Sequence, residues 1–156
     1  MILEEVFSPK AICVDLSSDD KDEVIEELVE LFAAEHPEVS RSEIIESVFT
    51  REEKMSTGIM HNIAVPHGRT SAVKGIHGVI GISRTGIDFD SLDGAPVTLF
   101  IMLISSQGDN ELHLRALKRV SQLLEKETFY KDILEQKTPG DVYNVLCRYE
   151  EELVAI

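Results

Sequence analysis

The segment Pro96-Val-Thr-Leu-Phe-Ile-Met-Leu-Ile-Ser105 decides the fold of this chain. Its centre is an unbroken apolar run that lacks the alternation of a strand with one face in water. A strand with this pattern is buried on both faces, so the chain must cover two sides of a sheet. The sequence before and after the segment predicts helices that can do so.

Two helices are predicted ahead of the segment, after a short strand at residues 11–16. Residues 17–20 (SSDD) supply capping side chains for the first helix, which ends before His36. Ser40-x-x-Glu43 is a capping box and predicts a second helix to about Lys54. Each has apolar residues at helical spacing, and those of the first helix are Val24, Ile25, Leu28, Leu31 and Phe32.

Further strands and helices complete the predicted domain. Residues 77–83 and 86–91 have the pattern of a hairpin pair, and Asp109, Thr128 and Thr138 are candidate caps of three later helices. Helices before, between and after strands predict an α/β fold. The expected architecture is a single three-layer domain, with a mixed β-sheet flanked by helices on both faces, over the 156 residues of the chain.

Charge and composition restrict the partners. The net charge of −14 would repel a nucleic-acid backbone, and a basic partner would be attracted instead. No apolar run approaches the roughly 20 residues of a membrane span, and the chain start lacks the pattern of a signal peptide. Cys13 and Cys147 are expected to be reduced thiols, so we expect a cytoplasmic protein that does not insert into the membrane.

His67 is the leading candidate for chemistry. It follows Pro66, which fixes a backbone dihedral, and precedes Gly68, which tolerates close approach. A histidine held in this way suits a nucleophile that meets another protein, although an ordinary turn histidine fits the spacing equally well. His36, at a helix end, is expected to be a surface residue or a favourable C-terminal cation, and His77 an exposed residue at the start of a strand.

Three other features have both a functional and a structural interpretation. His113 lies on the apolar stripe of its helix, near an N-terminus that favours neutral imidazole and anions, and a core histidine is the alternative. Arg51 lies beside the core-facing stripe, where it either meets an anion or extends to solvent or to a carboxylate. Ser56-Thr57-Gly58 offers hydroxyl and N–H groups to an anion, but this signal is weak on its own.

The runs Arg51-Glu-Glu-Lys-Met-Ser-Thr-Gly-Ile59 and Ile63-Ala-Val-Pro-His-Gly68 resemble the signature of the fructose and mannitol class of phosphotransferase IIA domains. The likeness extends through Gly86–Val97 and Leu112-His113-Leu114, so that residues 1–156 would form one EIIA type-2 domain, a class that includes nitrogen-regulatory proteins.

This resemblance implies a phosphocarrier that works through a phosphohistidine. His67 would accept the phosphoryl group from an HPr-type protein, through Nε2, while Arg51 and His113 stabilise the transferring oxygens, with support from Ser56, Thr57 and Gly58. The phosphoryl group would pass to a IIB cysteine, or serve as a regulatory state that target proteins recognise. No metal or organic cofactor is implied.

One segment departs from the family pattern. Residues 60–62 (Met-His-Asn) replace a glycine-asparagine-glycine-like segment, so His61 is either a surface substitution or an added contact near the phosphoryl group. Asn62 can adopt positive φ. Two other functions remain as alternatives. One is a binding domain that is not phosphorylated. The other is a metal-dependent hydrolase using His61, His67 and either His77 or His113 with carboxylates, although these residues lack recognised ligand spacing.

Overall fold

The computed structural model describes residues 3–155. Within this range, strands form one mixed sheet and helices cover both of its faces, which confirms the predicted fold class. Met1 and Ile2, which belong to the chain start that lacks the pattern of a signal peptide, lie outside the described residues. The side chain of Met60 is also outside the description.

The helices begin close to where the caps predict. Asp20, Ser40 and Thr138 each accept a hydrogen bond from the backbone N–H three residues on. Within residues 3–155 the helices are α1 (Leu3–Val6), α2 (Lys21–Glu35), α3 (Arg41–Lys54), α4 (Asn110–Leu124), α5 (Glu127–Glu135) and α6 (Pro139–Val154).

The sheet is built around its longest strands. Its members in the described residues are β1 (Ile12–Cys13), β2 (Gly58–Met60), β3 (Ile63–Ala64), β4 (His67–Arg69), β5 (Ile76–Ile87) and β6 (Val97–Ser105). The order is β1-β5-β6-β3-β2, and β4 also pairs with β6. Strand β6 runs antiparallel to β5 and parallel to β3 and β4, so it lies at the centre of a mixed sheet.

Strand β6 divides the core into two layers. Leu99, Ile101 and Leu103 pack in one apolar cluster with α4, α5 and α6. Phe100, Met102 and Ile104 pack in the other with α2 and α3. Alternate side chains of one strand thus enter opposite clusters, which is why the segment contains no polar alternation.

Some sequence predictions at the element level were wrong. Residues 77–83 and 86–91 do not pair with each other; the first run and the start of the second belong to the single strand β5, which pairs with β6 instead. Between Ile82 and Ile87 the pairing register shifts, and Gly86 has φ of +82° there. The turn signal near Gly86 therefore belongs to a bulge within one strand and not to the turn of a hairpin.

One boundary and two caps also differ from the predictions. The first strand is limited to Ile12–Cys13, because only these residues pair with β5. Asp109 occupies the cap position of α4, but its side chain makes no capping hydrogen bond. Helix α5 begins ahead of Thr128, whose hydroxyl accepts a hydrogen bond from Tyr149 in α6.

Candidate functional site

A cavity of about 680 Å³ opens where α3, β4 and the start of α4 meet. His67, His113 and Arg51 all line it, so the structure brings these candidates together. Its lining residues in the described part of the chain include several cations and no Asp or Glu, in a protein of net charge −14. They are Ser47, Thr50, Arg51, Lys54, His67, Gly68, Arg69, Gln107, Asn110, His113, Leu114 and Leu117.

Gly68 determines how closely α3 approaches the strand that carries His67. A Cβ atom at this position would lie 2.4 Å from Ser47 Oγ and 3.0 Å from the backbone N of Val48. Only glycine fits this approach without a shift of the helix or strand. Because Gly68 faces α3, strand alternation directs His67 and Arg69 toward the α4 side of the sheet.

The His67 ring is held by the backbone just before it. Its Nδ1 lies 2.9 Å from the carbonyl oxygen of Val65, which can only accept, so Nδ1 carries the proton and donates. In the neutral ring, Nε2 therefore has the free lone pair. Burial lowers the pKa of His67 from its usual value, and the charges of Arg51 and Arg69 lower it further, while the Val65 hydrogen bond opposes this shift.

His113 lies beside His67 on the first turn of α4. It is only 4% exposed, and the two ring centroids are 5.4 Å apart. The Nδ1 atom of His113 lies 2.5 Å from Oγ of Ser105, at the end of β6. Burial, followed by the nearby His67 and Arg69, lowers the pKa of His113 to about 4, so this ring is neutral at physiological pH.

Arg51 lies in the last turn of α3, where a cation complements the helix dipole. One of its nitrogens, Nη1, donates to the carbonyl oxygen of Met55 at 2.8 Å. A guanidinium has several further N–H donors, so this bond fixes the side chain without consuming its capacity to bind an anion.

Ser56, Thr57 and Gly58 are not among the residues that line the cavity. The backbone N–H and hydroxyl of Thr57 donate to the buried carboxylate of Glu52, which also pairs with Lys21 at 3.1 Å. Ser56 donates to the carbonyl oxygen of Phe89 and accepts from the N–H of Gly58. The tripeptide thus fixes the chain that leaves α3.

Sequence reasoning missed Arg69 and Asn110, which line the cavity and hydrogen-bond to each other. Strand alternation was the available signal for Arg69, because residues two apart in a strand face the same side and Arg69 follows His67 at that spacing. Asn110 begins α4 one turn ahead of His113, and no local pattern connects it with Arg69.

The remaining histidines lie elsewhere. His36 lies at the C-terminal end of α2, as expected, where it is half-buried and stacks on Phe32. Its ring centroid is 4.9 Å from that of His77, which is also half-buried. Burial lowers the pKa of His77. His61 is exposed, with φ of 53°, and lies with Asn62 (φ of 71°) in the turn between β2 and β3, outside the lining of the His67 cavity.

Within residues 3–155, no group of three or more His, Cys, Asp or Glu side chains is arranged to hold a metal ion. In the same range, no helix combines the length and the apolar character needed to cross a bilayer. The hydrolase hypothesis therefore has no assembled ligand group in this part of the chain.

Comparison with known families adds the decisive observation. The model of the family described as "Phosphoenolpyruvate-dependent sugar phosphotransferase system, EIIA 2" matches residues 5–149. The chain belongs to this family. The match spans His67, His113 and Arg51, and it confirms the resemblance that the sequence signature indicated.

Two curated relatives have different roles within the EIIA 2 family. A fructose-specific EIIABC component of Bacillus subtilis is 32% identical over 151 residues, which are 97% of this chain and 24% of that protein. A nitrogen regulatory protein of Pseudomonas aeruginosa is 30% identical over 144 residues, which are 92% of this chain and 94% of that protein.

Solved structures of IIA proteins share the fold. The nitrogen regulatory protein IIA-Ntr of Neisseria meningitidis has a TM-score of 0.86 and 26% identity, over 92% of this chain and 98% of that chain. Mannitol IIA of Escherichia coli, solved in complex with phosphorylated mannitol IIB, has a TM-score of 0.75 at 20% identity, over 91% and 99% of the two chains. The second likeness supports the fold alone.

Proposed function

We propose that this EIIA protein is a phosphocarrier that accepts a phosphoryl group on Nε2 of His67 from an HPr-type protein in the cytoplasm. The observation that best supports this proposal is the His67 Nε2 lone pair, left free by the Nδ1 bond to Val65. The cavity around it is lined, among the described residues, by several cations and by no Asp or Glu. A neutral imidazole can attack phosphorus, and the surrounding positive charge attracts a phosphoryl dianion.

The transfer itself needs little proton chemistry. The Nε2 lone pair of His67 forms the new bond to phosphorus, and the bond from phosphorus to the donor imidazole breaks, its electron pair leaving with the donor ring. Positive charge that develops on the His67 ring is stabilised by the Val65 carbonyl at Nδ1. In-line positioning and charge stabilisation of the oxygens supply the catalysis, and no cofactor is required.

Arg51, Arg69 and His113 have separate roles in this proposal. Arg51 binds the phosphoryl oxygens through the N–H groups that Met55 leaves free, and Arg69 adds a second guanidinium. Neutral His113 contributes a hydrogen bond instead of a charge. Ser56, Thr57 and Gly58 support the site indirectly, by fixing the chain after Arg51 through Glu52 and Phe89.

The fate of the phosphoryl group separates two forms of the proposal. In a sugar-transport protein it passes to a cysteine of a IIB component, and in a regulatory protein the phosphorylated and free states bind targets differently. Similarity to the nitrogen regulatory protein over 94% of its length supports the regulatory form, and similarity to the fructose EIIABC component supports the transport form.

Incubation with phosphoenolpyruvate, enzyme I and HPr from one source, followed by mass measurement, tests the proposal. We expect an acid-labile gain of one phosphoryl group that His67→Ala abolishes. His113→Ala and Arg51→Ala should slow transfer by roughly tenfold to a thousandfold, with the fold intact by circular dichroism. His61→Ala, at an exposed histidine outside the cavity, is the matched control and should keep the wild-type rate.

A wild-type protein that stays unmodified with a cognate carrier would favour the non-phosphorylated binding domain instead. Addition of a IIB domain to the phosphorylated protein then separates the two forms. Transfer to the IIB cysteine supports sugar transport, whereas retention of the phosphoryl group supports the regulatory role.

A further inference from the structure

Ser105 is a polar exception at the end of an apolar strand. It closes β6 and is 0% exposed, and it lies on the same side of the strand as Leu103 and Ile101, which pack against the layer of α4. His113 faces it from the first turn of α4, with Nδ1 2.5 Å from Ser105 Oγ. A buried hydroxyl without a hydrogen bond would destabilise the fold, so Ser105 needs a partner in this position.

Two proton arrangements fit this contact. They differ in whether the hydroxyl proton of Ser105 has a hydrogen-bond acceptor. If His113 Nδ1 donated to Ser105 Oγ, the hydroxyl proton would need another acceptor, and within residues 3–155 the structure provides no other hydrogen-bond partner for Oγ. If the hydroxyl donates to Nδ1, both groups are satisfied. The second arrangement leaves the proton of the neutral imidazole on Nε2.

The proton on Nε2 determines what His113 presents to the cavity that it lines. With Nδ1 bound to the strand, Nε2 is the nitrogen that remains for a ligand. An Nε2–H group donates a hydrogen bond to a phosphoryl oxygen, whereas an unprotonated Nε2 would direct a lone pair at that oxygen and repel it. His67 presents the opposite state, because its Nδ1–H bond to Val65 leaves Nε2 without a proton.

We propose that Ser105 is a positioning residue that holds His113 as the Nε2–H tautomer, so that His113 donates to the phosphoryl group being transferred to His67. This role rests on the proposed phosphocarrier function. Ser105 does not touch the reacting atoms; it acts through His113. The register supports the placement, since Ser105 pairs with Arg69 and Leu103 with His67 across β6 and β4.

Long-range ¹H–¹⁵N correlation spectra of protein labelled with ¹⁵N-histidine test the tautomer without any transfer assay. We expect Nε2–H for His113 and Nδ1–H for His67 in the unphosphorylated wild type. Thr and Val have nearly the same shape, so Ser105→Thr and Ser105→Val strain the core equally and differ in the hydroxyl. In Ser105→Thr, His113 should remain mainly the Nε2–H tautomer. In Ser105→Val, this tautomer should no longer be the main form of His113.

The transfer measurement then links the tautomer to the reaction. Ser105→Val should lower the maximal rate of phosphoryl transfer by roughly tenfold relative to Ser105→Thr, with carrier affinity unchanged, because only an interaction with the transferring group is affected. A wild-type His113 with the proton on Nδ1, or a Ser105→Val protein with the rate and tautomer of Ser105→Thr, would overturn the proposal. If neither variant folds, the tautomer of His113 measured in the wild-type protein still tests the proposal.

The two levels of the proposal fail in different ways. Phosphorylated wild-type protein with His113 as the Nδ1–H tautomer would overturn the role of Ser105 alone. Wild-type protein with the expected tautomer that accepts no phosphoryl group from a cognate carrier would overturn the phosphocarrier function, and the donor role of His113 with it.

Discussion

The imidazole rings of His67 and His113 lie with their centroids 5.4 Å apart and their planes inclined by 48°. Each ring is fixed at Nδ1 by a different partner, the Val65 carbonyl for His67 and the Ser105 hydroxyl for His113. A carbonyl can only accept and a hydroxyl can donate, so similar rings can take opposite proton states. In the transfer that we propose, this difference suits one ring to attack phosphorus and the other to stabilise its oxygens.

The first prediction concerns the titration of His67. Because burial lowers its pKa, its ring should remain neutral as pH falls from 8 to about 6.5, the usual pKa of histidine. The imidazole resonances in an NMR titration should give a midpoint below that value, and the rate of phosphorylation should not decline until the same midpoint. A midpoint above pH 6.5 would contradict the role of burial.

The second prediction concerns stability in acid. The pKa of His113 is lowered to about 4, so between pH 6.5 and 4 the unfolded chain binds a proton that the folded protein excludes. The free energy of unfolding should therefore fall as pH drops through this window, by up to about 3 kcal/mol from this residue, and the contribution of His113 should be constant above the window. His67 and His77, whose pKa values are also lowered, act in the same direction.

Urea unfolding of wild type and His113→Gln at several pH values measures this effect. The difference in free energy of unfolding between the two proteins should shift in favour of the variant as pH falls from 6.5 to 4. Parallel curves over this range would show that His113 is not the group responsible.

The third prediction concerns Arg69, which sequence reasoning missed. Its guanidinium is held at the cavity by Asn110, so Arg69→Gln should slow phosphorylation roughly tenfold, with little change in stability because the side chain is exposed. Arg41→Gln removes the same charge from the opposite end of α3, where Arg41 pairs with Glu30. Equal phosphorylation rates for the two variants would show that Arg69 acts only through the net charge of the protein and not through contact with the phosphoryl group.

The fourth prediction concerns Gly68. A methyl group there would press on the backbone of α3 at Ser47 and Val48, so Gly68→Ala should lower the free energy of unfolding by roughly 1–3 kcal/mol. It should also slow phosphorylation, because α3 carries Arg51. Gly140→Ala is the matched control: nothing lies within 4 Å of its added methyl, and the change should stabilise α6 by up to about 1 kcal/mol. Similar losses of stability in both variants would contradict this explanation.

Local signals account for the parts of the fold that the sequence predicted. Asp20, Ser40 and Thr138 cap their helices with hydrogen bonds to residues three positions on, so both partners are visible in one short stretch. The double-sided strand β6 is visible in the same way, because burial of both faces appears directly as an unbroken apolar run. The family signature placed His67, Arg51 and His113 in one site, and their shared cavity agrees with that expectation.

The pairing of distant segments could not be predicted locally. Residues 77–91 have the pattern of a hairpin, yet β5 extends through the turn signal at Gly86 to pair with β6, because a bulge absorbs the extra residues. Ser56-Thr57-Gly58 has the groups of an anion site, but the buried Glu52 carboxylate and Phe89 occupy its donors. The sequence shows which groups can donate a hydrogen bond, but only the fold determines which acceptor lies beside each donor.

The sequence by itself determined the helix starts at Asp20, Ser40 and Thr138 and the buried central strand, because caps and hydrophobic periodicity are read over a few consecutive residues. The tertiary structure alone decided the approach of α3 at Gly68 and the contact between Ser105 and His113. These features depend on which face of a strand meets which helix. That choice is made by the packing of the whole core, in which each side chain of β6 must enter one of two layers.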